Sequence, residues 1–157
     1  MIFPYQIVRG IDDRTYKIYE KALPWIKVTI FNPVNLKRSV SALCLADTGA
    51  DLTFFASEIG VYLGFDIKKG KLINLNGIGG GVQPSYFFNE VGIKLEDPNG
   101  KSKPIEFIDF VGFIENEFPL LSPQQTGILG TNGFFKNVNT CFSYPKEIVV
   151  TVNANLN

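Results

Sequence analysis

The stretch Leu45-Ala46-Asp47-Thr48-Gly49-Ala50-Asp51 places a carboxylate directly after an apolar segment of the chain. Residues 39–46 are predicted to form a strand, so the Asp47 carboxylate is expected at the mouth of a hydrophobic core. The tripeptide Asp47-Thr48-Gly49 alone also fits a polar turn, because all three residue types are common in turns. Its interpretation therefore depends on the rest of the chain.

A carboxylate in this position becomes a catalyst when a second carboxylate lies nearby. Two carboxyl groups that share one proton act as base and acid in one step. One takes a proton from water, and the other donates a proton to the carbonyl oxygen of a substrate. In such a pair Thr48 would supply a hydroxyl that locks the loop, and Gly49 would let the backbone and the substrate approach closely.

Composition excludes several classes of function. The chain has 157 residues, which suits one domain, and its 45% hydrophobic and 13% aromatic content supports a packed core. Lys plus Arg and Asp plus Glu both number 15, so no basic field exists to hold nucleic acid. No apolar run is as long as a membrane span, and Met1 to Tyr5 does not resemble a signal peptide. A cytoplasmic protein without a membrane partner is the expectation.

The chain contains no histidine, which removes Ser-His-Asp triads, Cys-His dyads and most zinc sites. We expect no metal and no cofactor, so hydrolytic chemistry would run on carboxylates. Cys44 and Cys141 lie in apolar segments and are predicted to be buried free thiols, with a disulfide as the open alternative.

Short apolar segments separated by glycine and proline indicate a mainly β fold. The Asp97-Pro98-Asn99-Gly100 segment is predicted to be a turn and 115–125 a loop. A short helix is predicted to begin at Ser57-Glu58 and end at Gly64, and another covers Thr131 to Asn137, capped by Thr131 or Asn132. The predicted strands are Ile2 to Val8, Leu23 to Phe31, Ser39 to Ala46, Leu72 to Leu75, Tyr86 to Leu95, Ile105 to Ile114, Gly127 to Gly130, Thr140 to Ser143 and Ile148 to Val152.

Two further segments bear on a catalytic interpretation of Asp47. The run Gly77-Ile78-Gly79-Gly80-Gly81 between two strands is typical of a mobile lid over a cleft, although an ordinary hairpin also fits. The strand Gly127-Ile128-Leu129-Gly130 is narrow enough to pass close behind an active-site loop, although an ordinary core strand also fits.

Together these features resemble the retropepsin-like aspartic proteases, over the range from about Trp25 to Val152. Asp47-Thr48-Gly49-Ala50 matches the family signature, and 55–65 is similar to the helix and Leu-Gly turn that follow it. The glycine run resembles the flap, and Ile128-Leu129-Gly130 resembles the family's Ile-Leu-Gly strand. The resemblance implies a single-lobe acid protease barrel over 1–157, with 1–22 as an N-terminal extension and 153–157 as a tail.

The resemblance also assigns roles to residues. Asp47 would be the catalytic carboxylate, Thr48 would bond across a dimer, and Gly49 would face the substrate. Ala50, Asp51 and the flap residues Gly77, Ile78, Gly79, Gly80 and Gly81 would bind the substrate. In retroviral members the acid equivalent to Asp51 pairs with an Arg directly after Ile-Leu-Gly, but Thr131 stands there in this chain.

One Asp-Thr-Gly motif without an internal repeat implies that the second carboxylate comes from a second chain. The prediction is an aspartic endopeptidase that acts on a peptide or protein substrate as a two-fold homodimer. Terminal edge strands, Ile2 to Val8 or Ile148 to Val152, are candidate interface elements. The alternatives are a non-catalytic peptide-binding or assembly module on the same fold and a carbohydrate- or lipid-binding β-barrel.

Overall fold

The computed structural model describes residues 1–12, 14–74, 85–114 and 126–153. These residues form β structure with one α-helix, α1, at Ser57–Tyr62, and 3-10 turns at Ile67–Lys69 and Phe135–Asn137. Among them, no helix is long and apolar enough to cross a membrane. The strands are β1 (Ile2–Pro4), β2 (Gln6–Ile11), β3 (Ile18–Leu23), β4 (Trp25–Asn32), β5 (Asn35–Ala46), β6 (Phe54–Ala56), β7 (Lys71–Asn74), β8 (Ser85–Leu95), β9 (Ile105–Ile114), β10 (Gly127–Leu129), β11 (Val138–Ser143) and β12 (Glu147–Val152).

Six strands close a barrel around the main hydrophobic core. Neighbours follow the order β4, β5, β10, β6, β9 and β8, and β8 returns to pair with β4, while β7 extends the sheet beyond β8. Alternate residues point inward, as Ile26, Val28 and Ile30 do on β4, and these side chains are fully buried. The mainly β, single-barrel prediction is confirmed.

The narrow strand β10 lies between β5 and β6 in this barrel. It runs parallel to β5 and antiparallel to β6. A Cβ atom on Gly127 would lie 2.5 Å from the Phe55 ring and 2.9 Å from Cys44 Sγ, so only glycine fits there. The prediction that this strand passes behind the loop after β5 is therefore confirmed, because β5 and β6 flank that loop.

The chain termini form a separate three-stranded sheet in the order β1, β12, β11. Ile2 pairs with Val149, and the N-terminal ammonium donates a hydrogen bond to the Val150 carbonyl at 2.8 Å. The prediction that Ile148 to Val152 is an edge strand is wrong, because β12 is covered on both sides by strands of its own chain. Among the described residues, the outer strands of this sheet are β1 and β11.

Two predicted strands are each divided into two. The segment Ile2 to Val8 breaks at Tyr5, where β1 ends and the chain passes into a different sheet, β2 with β3. The segment Leu23 to Phe31 breaks at Pro24, which has no N–H to continue a ladder. Both breaks reflect a change of pairing partner that residue alternation does not report.

The helix predicted after Ser57-Glu58 is confirmed as α1, and it is followed by Gly64 with a φ of +85°. The turn at Asp97 to Gly100 is also confirmed, closed by the Gly100 amide on the Asp97 carbonyl at 2.9 Å. The helix predicted over Thr131 to Asn137 is wrong. Only Phe135–Asn137 forms a 3-10 turn, and no side chain caps it.

The two cysteines differ in their surroundings. Cys44 is fully buried, and burial raises the pKa of its thiol well above its ordinary value, so it stays protonated and inert. Cys141 is an exposed free thiol on β11, so the prediction that it is buried is wrong. The glycine run 77–81 and the predicted loop 115–125 lie outside the described residues.

Candidate active site

Asp47 follows directly on β5, where the strand leaves the barrel. Its backbone N–H donates to the Leu129 carbonyl at 3.0 Å, which ties the start of the loop to β10. Its carboxylate Oδ1 accepts a hydrogen bond from the Gly49 N–H at 2.9 Å. Asp47 is half-buried, whereas Thr48 and Gly49 are exposed. The carboxylate is therefore oriented by its own loop and remains accessible from outside.

The loop from Asp47 to Thr53 is crossed closely by the chain at Gly130. A Cβ atom on Gly130 would lie 2.3 Å from the Leu52 carbonyl oxygen and 2.7 Å from that of Ala50. These are backbone atoms that cannot rotate away, so glycine is required for the crossing. The Ile-Leu-Gly segment thus holds the carboxylate loop from behind.

Thr53 joins this loop to Gly130 by its side chain. The fully buried Thr53 hydroxyl accepts a hydrogen bond from the Gly130 N–H at 3.0 Å and donates one to the Gly130 carbonyl at 3.3 Å. Its backbone N–H donates to the Asn132 carbonyl at 2.8 Å, and its carbonyl accepts from the Gly112 N–H at 3.0 Å. Thr53 was not predicted as a site residue, because a threonine after an Asp-Thr-Gly motif has no distinctive local pattern.

An apolar cluster borders the same loop. It centres on Phe54 and Ile114, against which Phe88 and Ile128 pack. Ile128 pairs with Leu45 on one side and with Phe54 on the other. The next residue, Leu129, has the carbonyl that accepts the hydrogen bond from the Asp47 N–H. Apolar side chains therefore lie on the strands next to the carboxylate loop.

The predicted site residues Asp47, Thr48, Gly49, Ala50 and Asp51 come together in this one loop. Ala50 and Asp51 lie behind the carboxylate, where their carbonyls accept hydrogen bonds from 131–132. Residues Gly77, Ile78, Gly79, Gly80 and Gly81 fall outside the described residues. The strands on either side of them, β7 and β8, pair antiparallel with Asn74 opposite Ser85.

Comparison with a solved structure agrees with this architecture. A retropepsin-like aspartic protease from Rickettsia conorii superposes with a TM-score of 0.54 at 14% identity, over 94% of this chain and 96% of that one. This is a retropepsin-like fold. EIAV protease in complex with the inhibitor HBY-793 also matches, with a TM-score of 0.37 at 22% identity, over 70% of this chain and 83% of that one. No protein-family model and no curated protein matches the sequence.

Within this retropepsin-like fold, Asn132 helps hold the segment around Asp51. The Asn132 backbone N–H and side-chain Nδ2 both donate to the Asp51 carbonyl, each at 3.0 Å. The Thr131 N–H donates to the Ala50 carbonyl at 2.8 Å. Thr131 and Asn132 therefore support the loop through amide groups, without a positive charge at position 131.

An ion pair made by a buried carboxylate anchors the segment that contains Asn132. The Asp109 carboxylate on β9 is only 9% exposed and lies 2.9 Å from Lys136 Nζ. It also accepts hydrogen bonds from Asn137 Nδ2 at 2.6 Å and from the Phe110 N–H at 2.7 Å. Asp109 is a single acid inside the apolar run from Phe107 to Val111. Buried carboxylates are rare unless they are paired, so this pattern could have indicated an ion pair from the sequence.

We expect Asp109→Ala to lower the free energy of unfolding by about 2–3 kcal/mol, because Lys136 and Asn137 lose their common partner. Lys136→Met should cost less, about 1 kcal/mol, since half of the lysine side chain is exposed and two N–H donors still serve Asp109. Urea unfolding monitored by circular dichroism measures both values.

Glu106→Ala is the matched control for this pair, because Glu106 is an exposed acid on the same strand. It should change stability by less than about 0.5 kcal/mol. Equal losses for Asp109→Ala and Glu106→Ala would show that the buried pair does not anchor the segment.

Proposed function

We propose that this chain is an aspartic endopeptidase whose active site forms from the Asp47 carboxylates of two identical chains. The observation that carries the proposal is the half-buried Asp47 carboxylate, oriented by the Gly49 amide and backed by Gly130 in a retropepsin-like fold. The loop leaves the carboxylate accessible to a water, a substrate and a second chain. One carboxylate per chain is half of the required pair.

The proposed reaction uses the two carboxyl groups with one shared proton. The unprotonated Asp47 takes a proton from water as the water oxygen attacks the carbonyl carbon of the peptide bond. The protonated Asp47 of the second chain donates its proton to the carbonyl oxygen, which gives a tetrahedral diol. Proton transfer to the nitrogen and loss of a diol proton to a carboxylate then accompany cleavage of the C–N bond. Both carboxyl groups finish with one proton between them.

The other residues of the loop support this chemistry. Thr48 is exposed beside Asp47, so its hydroxyl is available to the second chain, and Gly49 leaves room for the substrate. The apolar cluster around Phe54 and Ile128 borders the loop, which favours apolar substrate side chains. Ala50, Asp51 and the glycine run Gly77 to Gly81 are proposed to complete the substrate cleft.

Cleavage of a library of unstructured peptides at several chain concentrations tests the proposal. Activity per chain should rise with concentration and level off where sedimentation equilibrium shows the dimer to be saturated. The rate should be highest at acidic to mildly acidic pH, because one carboxyl group of the pair must carry a proton.

Three results would contradict the protease. They are activity per chain that does not fall at concentrations where sedimentation equilibrium shows the dimer to dissociate, activity that rises steadily above neutral pH, and saturable peptide binding without cleavage at any pH. The last result would instead favour a non-catalytic peptide-binding module, which is the alternative that the fold permits.

A further inference from the structure

The N-terminal hairpin of β2 and β3 forms a two-stranded sheet of its own, outside the barrel. Six residue pairs join its strands, from Gln6 opposite Leu23 to Ile11 opposite Ile18. Leu23 is buried at the base of the hairpin, whereas most of the other side chains are exposed. An isolated two-stranded hairpin is only marginally stable in water, so a hairpin of this kind gains from being covered.

One face of the hairpin carries large apolar side chains, and we call it the isoleucine face. Ile7, Ile11 and Ile18 are 58%, 63% and 76% exposed, and they share this face because residues alternate along a strand. The Arg9–Glu20 ion pair, with 2.7 Å between Nε and Oε1, lies between them. The face is therefore apolar at both ends and charged in the middle.

The opposite face of the hairpin carries one large aromatic side chain, that of Tyr19. Tyr19 lies across Gly10 so closely that a Cβ atom on Gly10 would be 2.6 Å from the Tyr19 ring. The other residue pairs on this face are Val8 with Lys21 and Gln6 with Leu23. The isoleucine face thus exposes three large apolar side chains to a partner, whereas the opposite face exposes Tyr19, at 47%.

The arrangement of charges on the isoleucine face fits a second copy of itself. If two such faces stack about a two-fold axis parallel to the strands, each residue lies over the cross-strand neighbour in the other copy. Arg9 then lies over the partner's Glu20, and Ile11 lies over the partner's Ile18. Ile7 lies over the small Ala22 of the second copy, so large and small side chains match. An axis across the strands would instead bring two Arg9 side chains together.

We infer that the isoleucine face is an arm by which each chain binds the same face of a second chain in the homodimer. The inference rests on the dimer of the proposed function and names an element of it. A stable dimer buries about 800 Å² on each partner, whereas a six-residue hairpin face covers only about 200 Å². The arm therefore adds to a contact made elsewhere around the two Asp47 loops, and it fixes the register of the two chains through opposite charges.

Charge reversal tests this contact. Arg9→Glu places a carboxylate over the partner's Glu20, and Glu20→Arg places two guanidinium groups together, so each variant alone should raise the dimer Kd at least about tenfold. An equimolar mixture of the two variants should recover a mixed dimer with a Kd within about threefold of the wild type, because both cross-chain pairs are then attractive. Sedimentation equilibrium measures all of these constants, and circular dichroism checks the fold.

Lys21→Glu is the matched control, since it makes the same change in net charge on the opposite face of the same hairpin. It should leave the dimer Kd unchanged. The inference is overturned if Arg9→Glu dimerises like the wild type, if the mixture dissociates as readily as the separate variants, or if the wild type is monomeric. Peptide cleavage is read separately. If the wild type cleaves peptides and Arg9→Glu leaves its dimer Kd unchanged, the inference about the hairpin is wrong and the proposed function stands. If the mixture restores the dimer but the wild type cleaves no peptide, the proposed function is wrong and the inference about the hairpin stands.

Discussion

Asp47→Asn is expected to lower the rate of peptide cleavage by at least about 10³-fold, because the pair then lacks carboxylates to take a proton from water. The fold should survive this change. The amide oxygen of Asn can still accept the hydrogen bond that the Gly49 N–H gives to Asp47 Oδ1, so the loop keeps its geometry. Steady-state cleavage of a peptide substrate measures the loss, and sedimentation equilibrium should show an unchanged dimer.

Asp66→Asn is the control for this prediction, because it makes the same chemical change at an exposed residue, whose Oδ2 lies 3.3 Å from Lys69 Nζ. It should retain full activity, as single surface ion pairs contribute little. Full activity in Asp47→Asn would remove Asp47 from the mechanism and with it the proposed function.

A mixing experiment extends the same prediction to the second chain. If a dimer needs two Asp47 carboxylates, an equal amount of Asp47→Asn should lower the activity of wild-type chains to about half by random pairing. Chains that carried a complete site would keep their activity in the mixture. The experiment thus separates a shared active site from two independent ones.

Gly130→Ala is expected to lower the free energy of unfolding by about 3 kcal/mol or more, because the new methyl group would overlap backbone atoms. The added Cβ would lie 2.3 Å from the Leu52 carbonyl oxygen and 2.5 Å from its carbon. Relief requires the loop of Asp47 to move away from β10, so activity should fall together with stability. Urea unfolding and peptide cleavage on the same sample measure both effects.

Gly100→Ala provides the comparison. A Cβ atom at position 100 would have no neighbouring atom within 4 Å, but the alanine backbone would have to adopt a φ of +65°. It should cost about 1–2 kcal/mol through backbone strain alone and leave cleavage unchanged. Equal losses of stability in the two variants would show that the crossing at Gly130 is not tightly packed.

Much of the fold follows from local patterns. The strand Ile105–Ile114, the helix that begins at Ser57 and the turn at Asp97 to Gly100 were all predicted from alternation, glycine and proline. The breaks at Tyr5 and Pro24 were not placed, because a strand that changes partners keeps its alternation. The exposed position of Cys141 was missed for a related reason, since an apolar segment does not show which of its two faces is covered.

The candidate site likewise has residues that the sequence predicted and residues that only the structure showed. The Asp-Thr-Gly loop and the Ile-Leu-Gly strand were recognised as motifs, and the structure brings them together through the Asp47 N–H and the Leu129 carbonyl. Thr53 and Asn132 were missed as supporting residues. The Thr53 hydroxyl bonds to Gly130, 77 positions away in the chain, and no local pattern reports such a contact.

The residue pattern determined that this chain carries one Asp-Thr-Gly motif, no histidine and short apolar segments separated by glycine and proline, which predict a mainly β fold. These properties are local, because they depend on residue types and on periods of a few residues. Only the tertiary structure decided that Asp109 anchors the segment behind the loop, that β12 is covered by β1, and that the hairpin exposes isoleucines on one face. Each of these depends on which distant strands pair, and pairing is set by the packing of the whole core.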